Sequence, residues 1–242
     1  MIKCKKCDGS GIVIKGNVAY KCNCTKQRIM ELKYQESRLP LKLQQYTFDK
    51  FELKYYPEDE YPADSKNATY REIALNSLEA AKKFAKKNSV SAGGKGLFFC
   101  GNVGSGKTFL YSAIANYLLS KGQRVLFLVV PDLLDEIKAT YNKEPETSEL
   151  ELLQHARNIP VLILDDLGAH NYTDWTRNKI YSILNSRLNN ELPTVINSNL
   201  TLEEIEEYLG ERITSRIVEL CDIYRLLVPK DIRHIKSLER RM

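Results

Sequence analysis

Residues 96–122 read GLFFCGNVGSGKTFLYSAIANYLLSKG. A short apolar run leads into a glycine-rich loop, and an amphipathic stretch follows and stops at Gly122. Strand, loop and helix in this order form a cradle for phosphate. Glycines let backbone N–H groups turn toward phosphate oxygens, and the next helix adds its positive end. Lys107 is spaced to reach the β- and γ-phosphates, and Thr108 offers a hydroxyl to magnesium. Gly101, Asn102, Val103, Gly104, Ser105, Gly106, Lys107, Thr108 and Phe109 are therefore the expected ATP contacts.

Downstream the pattern repeats. RVLFLVV, PVLILDD, PTVINSN and IYRLLVP read as strands, with helical stretches between them. Such alternation predicts an α/β fold with a three-layer parallel sheet. VLILDD, Val161–Asp166, ends in two acids at the sheet's carboxyl edge, where a P-loop places its phosphates. Asp165 is expected to hold magnesium and Asp166 to orient the attacking water. The next strand ends in Asn197-Ser198-Asn199. Asn199 is the chosen γ-phosphate contact, with capping of the helix at Thr201 as the other reading. Arg212 and Arg216 share one helix face. Spacing alone makes them surface partners of Glu211 or Glu219.

The N-terminus carries Cys4-x₂-Cys7 and Cys22-x-Cys24 around a hairpin signal at Gly16-Asn17. Four cysteines so arranged predict a closed, structural zinc site. Cys100 and Cys221 sit in apolar stretches and read as buried thiols. Residues 1–40 are taken as the zinc-binding module, 41–90 as a linker with a packing helix, and 91–242 as the ATPase domain. Residues 41–65 read as a linker that packs in places, and Pro40, Pro57 and Pro62 suggest that it lets the zinc module reach a partner.

The net charge is +5, unevenly spread. Residues 1–56 hold twelve basic against five acidic side chains, and residues 225–242 hold six against two. Basic ends on an acidic centre suit a polyanion contact or a solvated surface. No apolar run approaches the ~20 residues of a membrane span. With no apolar stretch behind the first lysines, a cytoplasmic protein is expected.

GNVGSGKT, LILDDLGA…TDW, INSNL, LGERITSRI and DIR, in that order over residues 96–233, resemble the DnaC/DnaI-type helicase loaders of the AAA+ superfamily. The segment SRLPLKLQQYTFDKF resembles the linker before their ATPase module. The resemblance implies an AAA+ ATPase that assembles as an ATP-dependent homo-oligomer and loads a DnaB-type replicative helicase onto single-stranded DNA. It makes Asn199 the sensor 1 residue, Arg216 the finger offered to a neighbouring subunit, and Arg233 the sensor 2 residue. It marks Lys138, Tyr141 and Lys143 as DNA contacts. His170 stands where this group often has an acid, and Lys230 where a small residue is common. A transposition helper ATPase has a similar core, and an ATP-switched adaptor without turnover is a third reading. The cysteine cluster favours the loader.

Overall fold

The computed structural model describes residues 4–63, 67–140, 146–169 and 172–240. Its centre is a five-stranded sheet of β3 (Gly96–Cys100), β4 (Val125–Val129), β5 (Val161–Asp165), β6 (Thr194–Asn197) and β7 (Cys221–Arg225). The spatial order is β4-β5-β6-β3-β7, and every pairing is parallel. The inner strands are buried along their length because both faces are covered by helices.

Two cores lie on opposite faces of this sheet. One packs α2 (Tyr70–Asn88) and α3 (Lys107–Ser120) against Leu97, Phe99, Val125, Ile163 and Val195. The other face carries α4 (Val130–Thr140), α5 (Glu146–Asn158), α6 (Asp174–Asn189), α7 (Leu202–Leu209) and α8 (Glu211–Leu220). Alternate strand residues feed the two sides, as the pleat requires. Starts of the helices are fixed locally: Thr69 with Glu72, and Thr201 with Glu204, form reciprocal capping boxes. A last short helix, α9 (Ile232–Glu239), returns to the phosphate loop, where the Ile232 N–H donates to Gly104 O at 3.1 Å.

β7 lies earlier than IYRLLVP suggests. Helix α8 runs into it without a turn residue, so the strand takes in Cys221 and Asp222 and ends at Arg225. Cys100 and Cys221 are buried, as read from their apolar surroundings.

At the N-terminus, β1 (Ile12–Lys15) and β2 (Val18–Lys21) form an antiparallel hairpin turning at Gly16-Asn17. Helix α1 (Asn23–Glu36) follows at once. Its far end is fastened to the core. The Tyr34 hydroxyl donates to Asn116 Oδ1 at 3.2 Å, and the Phe127 N–H, on edge strand β4, donates to Ser37 O at 2.8 Å.

The linker expected to pack in places does pack, and more closely than its prolines suggest. From Leu39 to Tyr56 the chain runs over α3 in short 3-10 turns, with Leu39, Tyr55 and Tyr56 buried. Asn116 Nδ2 clamps it by donating to Leu43 O at 2.9 Å and Tyr46 O at 2.7 Å. Prolines 40, 57 and 62 bend this strap, while aromatic burial holds it down.

Candidate nucleotide site

The glycine-rich loop joins β3 to α3. Gly106 has φ +97°, and a Cβ there would lie 2.6 Å from the Tyr56 hydroxyl. That hydroxyl donates to Ser105 O at 2.7 Å, so the strap supports the loop from beneath. Gly104, φ +75°, lies so close to the Asp231 carboxylate that a Cβ would clash at 2.0 Å. The loop is thus held from two sides, and glycine is required at both contacts.

Lys107 is 4% exposed. Its ammonium donates to Gly101 O at 2.6 Å and Asn102 O at 2.9 Å, and burial pushes it down to about 8. Asn102 is tied to the chain's end: its Nδ2 donates to Val228 O at 2.7 Å. Val103, at the loop tip, is 55% exposed.

Loop residues from Val103 to Phe109 line one cleft of about 460 Å³, and Asp165, Asp166, Asn197, Asn199 and Arg233 line it with them. β6 lies between β5 and β3, which brings the two asparagines beside the two acids. Asn199 Nδ2 donates to Asp166 Oδ1 at 3.0 Å. Asp166 holds φ +58°, a left-handed conformation that a short acid tolerates at the turn after a strand. Asp165 is buried more deeply, which raises its carboxyl above the usual range. It accepts from Asn197 Nδ2 at 2.5 Å and from the Tyr111 hydroxyl.

Asn197 and Tyr111 are the residues that sequence reasoning missed. Asn197 was legible in principle: Asn197-Ser198-Asn199 closes a strand beside the one that ends in Asp165-Asp166, and so offers one amide per acid. Tyr111 sits one turn beyond Thr108 in an apolar helix and carried no such sign.

Thr108, Asp165 and Asn197 fit a magnesium ion by their chemistry. Thr108 is a hydroxyl ligand, Asp165 a carboxylate ligand, and Asn197 Oδ1 is a buried acceptor with no partner. A metal-bound water donates to such an atom.

Arg233 stands at the cleft's rim, 72% exposed, with its Nε 3.5 Å from Asp231. Arg216 is elsewhere. It lies on α8 beside Tyr181, Arg212 and Ser215, and its guanidinium pairs with Glu219 at 2.8 Å. The surface ion pair that spacing suggests is therefore formed, and this arginine does not line its own chain's cleft. Tyr181 lies between Arg212 and Arg216, and hydrogen bonding from Arg212, then Arg216, lowers its phenol pKa. Lys138 lies 3.7 Å from Asp135; Tyr141, Lys143 and His170 lie outside the described residues.

Near the adenine end one expects an apolar face. Tyr46 stacks on Phe109 with ring centroids 4.6 Å apart, beside Lys42, Ile232 and Lys236.

The four N-terminal cysteines meet at one point, their sulfurs all within 4.8 Å of one another. Cys4 and Cys22 sulfurs are 3.8 Å apart, and those of Cys7 and Cys24 are 3.3 Å apart. A tetrahedral zinc with bonds near 2.3 Å spaces its sulfurs by about 3.8 Å, whereas a disulfide needs about 2.05 Å. The set fits zinc.

A parallel sheet in this order, a P-loop, a paired acid strand end and an asparagine bonded to the second acid define an AAA+-type ATP-binding domain. The chain belongs to the IstB-like ATP binding protein family, whose pattern matches residues 79–226. It is similar to the replicative helicase loader DnaI of Bacillus subtilis (strain 168), 31% identical over 182 residues. That match takes in 67% of this chain and 58% of DnaI. The replicative helicase loader DnaC of Escherichia coli (strain K12) is 30% identical over 143 residues, 59% of this chain and 57% of DnaC. The chain thus spans little more than half the length of these relatives. A crystal structure of DnaI superposes with TM-score 0.62 at 27% identity, covering 81% of this chain and 98% of that one. AMPPCP-bound DnaA from Aquifex aeolicus shares the fold, with TM-score 0.62 at 19% identity. Among the described residues no helix is long and apolar enough to cross a membrane.

Proposed function

We propose that this chain is an ATP-hydrolysing helicase loader that assembles with a DnaB-type replicative helicase and single-stranded DNA. The observation that carries the reading is the pairing of Asn199 with Asp166 inside the cleft that the phosphate loop lines. The names of DnaI and DnaC support the loading role.

Phosphates would lie on the N–H groups of residues 103–108, with Lys107 leaving the loop carbonyls for them. Thr108 and Asp165 would hold magnesium, which supplies charge neutralisation on the phosphates. Asp166 orients the attacking water and accepts its proton, and Asn199 keeps that carboxylate turned toward the γ-phosphate. Tyr46 and Phe109 cover the base. Arg233, once freed from Asp231, meets the same phosphates from its own chain, and Arg216 meets those of a neighbour. The homo-oligomer is then part of the active site, and ATP times assembly and release. Cys4, Cys7, Cys22 and Cys24 would hold zinc, which would supply the cross-link that fixes the hairpin, and the hairpin would serve as the helicase contact. With no ligand position left open, this metal is structural.

The test is co-purification of the full chain with the replicative helicase of the genome that encodes it, with ATP or ADP, followed by loading onto circular single-stranded DNA. ATP-dependent capture and loading is the expected result. Capture of a transposase in place of the helicase would make the chain a transposition helper. Nucleotide-dependent capture without hydrolysis would make it a switch.

A further inference from the structure

Tyr111 is fully buried on α3, one turn beyond Thr108. Its ring stacks on Phe127 with centroids 5.7 Å apart. Its hydroxyl donates to Asp165 Oδ2, while Asn197 Nδ2 donates to Oδ1 of the same carboxylate. The nucleotide reading gives these contacts no task, yet both fall on the carboxylate assigned to magnesium.

We propose that Tyr111 is a positioning residue for magnesium: its buried hydroxyl fixes the Asp165 carboxylate so that each oxygen keeps a lone pair free for the cation. The proposal rests on the reading of the cleft as a magnesium–nucleotide site.

The phenol proton of Tyr111 must go to an acceptor, and Asp165 Oδ2 takes it. Each carboxylate oxygen has two acceptor sites. With Tyr111 on Oδ2 and Asn197 on Oδ1, each oxygen spends one and keeps one. The carboxylate is thereby fixed at both ends without losing its capacity for the metal. Partners of this kind, one step removed from the metal, set ligand orientation, and their loss typically costs 10- to 100-fold in metal affinity. Because the ring is fully buried in the core, the hydroxyl's position does not depend on the nucleotide.

The experiment measures binding of a fluorescent, non-hydrolysable ATP analogue to the full chain in EDTA and across a MgCl₂ titration. Tyr111→Phe removes one oxygen atom and keeps the ring. It is expected to raise the magnesium concentration for half-maximal tightening by roughly ten-fold, with affinity in EDTA unchanged. Tyr111→Leu, a second variant without the hydroxyl, should shift in the same direction. Phe127→Leu disturbs the stack but not the hydroxyl, and its magnesium requirement should match the wild type. An unchanged requirement in both Tyr111 variants overturns the proposal, as does an equal shift in Phe127→Leu, which would make the effect one of packing. If the wild type itself binds the analogue without any magnesium dependence, the nucleotide-site reading fails first and the role of Tyr111 falls with it.

Discussion

Tyr56, eighteen residues beyond Arg38 on the strap, places its hydroxyl 2.7 Å from the carbonyl of Ser105 in the phosphate loop. The segment that precedes the ATPase core is therefore part of the nucleotide site's foundation. Tyr56→Phe keeps the stack on Phe51 but leaves Ser105 O buried without its donor. A lost neutral hydrogen bond of this kind costs about 1 kcal/mol, and more if water cannot enter. For a chain of this size that is a Tm lower by about 2–4 °C per kcal/mol. Thermal unfolding with and without ATP checks it; the loss should be at least as large with ATP bound, since the loop is what ATP grips.

Arg187 is a second hidden fastener. It is fully buried, and the hydrogen bonds that define its site run to neutral acceptors: Ala156 O, Ile159 O and Pro193 O, each at 2.9 Å, and Thr194 Oγ1 at 2.7 Å. It ties the end of α5 to the start of β6. Arg187→Met fills the space and strands these acceptors, each at about 1–3 kcal/mol before water relieves any of them. A net loss of about 3 kcal/mol or more in urea unfolding is expected. Arg187→Lys, a point donor where a fork is needed, should recover only part of it.

These two residues show where sequence reading stops. The phosphate loop, Asp165-Asp166 and Asn199 were legible because nucleotide chemistry demands those residue types at that spacing. The cysteine cluster was legible for the same reason. Tyr56, Tyr111 and Arg187 were not, because two of the three bond mainly to backbone carbonyls and all three meet partners far along the chain. Their letters look like ordinary core or surface. The strap was half legible for a related reason: its apolar letters showed that it packs in places, while the partners of Tyr46, Phe51 and Tyr56 exist only once α3 is in place beneath them. Arg233 was placed by resemblance, and its pairing with Asp231 had no signal beyond proximity.

The two acids should separate on mutation. Lys107→Ala removes the phosphate-reaching ammonium and should weaken ATP binding by ten-fold or more, on the order of 1.4 kcal/mol. Asp166→Asn keeps size and the approach to Asn199 but cannot take a proton, so binding should persist while turnover falls by at least about 100-fold. Equilibrium binding and steady-state phosphate release on the same samples check both. Normal turnover in Asp166→Asn would mean that Asp165 is the group acting on water.

Metal content tests the cysteine site directly. Protein purified without chelator should hold one zinc per chain. Removing it, or Cys22→Ser, should melt the hairpin and the first turns of α1. Helix α1 should persist near Tyr34 and Ser37, which the core holds through Asn116 and Phe127. Structural zinc supplies folding energy only to the part it closes, so the main unfolding transition should move little. Amide exchange read along the chain would show the boundary, and protection lost through the ATPase core would contradict it.

Arg216 supplies the last test, because it asks whether the site is complete in one chain. Its guanidinium is held by Glu219 at 2.8 Å in a pocket with Arg212 and Tyr181, apart from the cleft that Lys107 and Asp165 line. Arg216→Ala should therefore bind ATP as the wild type does and hydrolyse it slowly at every protein concentration. An arginine finger is worth 10³–10⁵ in turnover in other nucleotide hydrolases; a loss of at least about 100-fold is expected here. Mixing Arg216→Ala with Lys107→Ala pairs an intact cleft with an intact finger, so activity should return as the mixture concentrates. Glu219→Gln loosens the pair that occupies the finger and should lower the protein concentration at which wild-type turnover reaches half its maximum. A wild-type rate per chain that does not depend on concentration, with no recovery in the mixture, would place the whole reaction within a single chain and return Arg216 to the role its spacing first suggested, a surface ion pair.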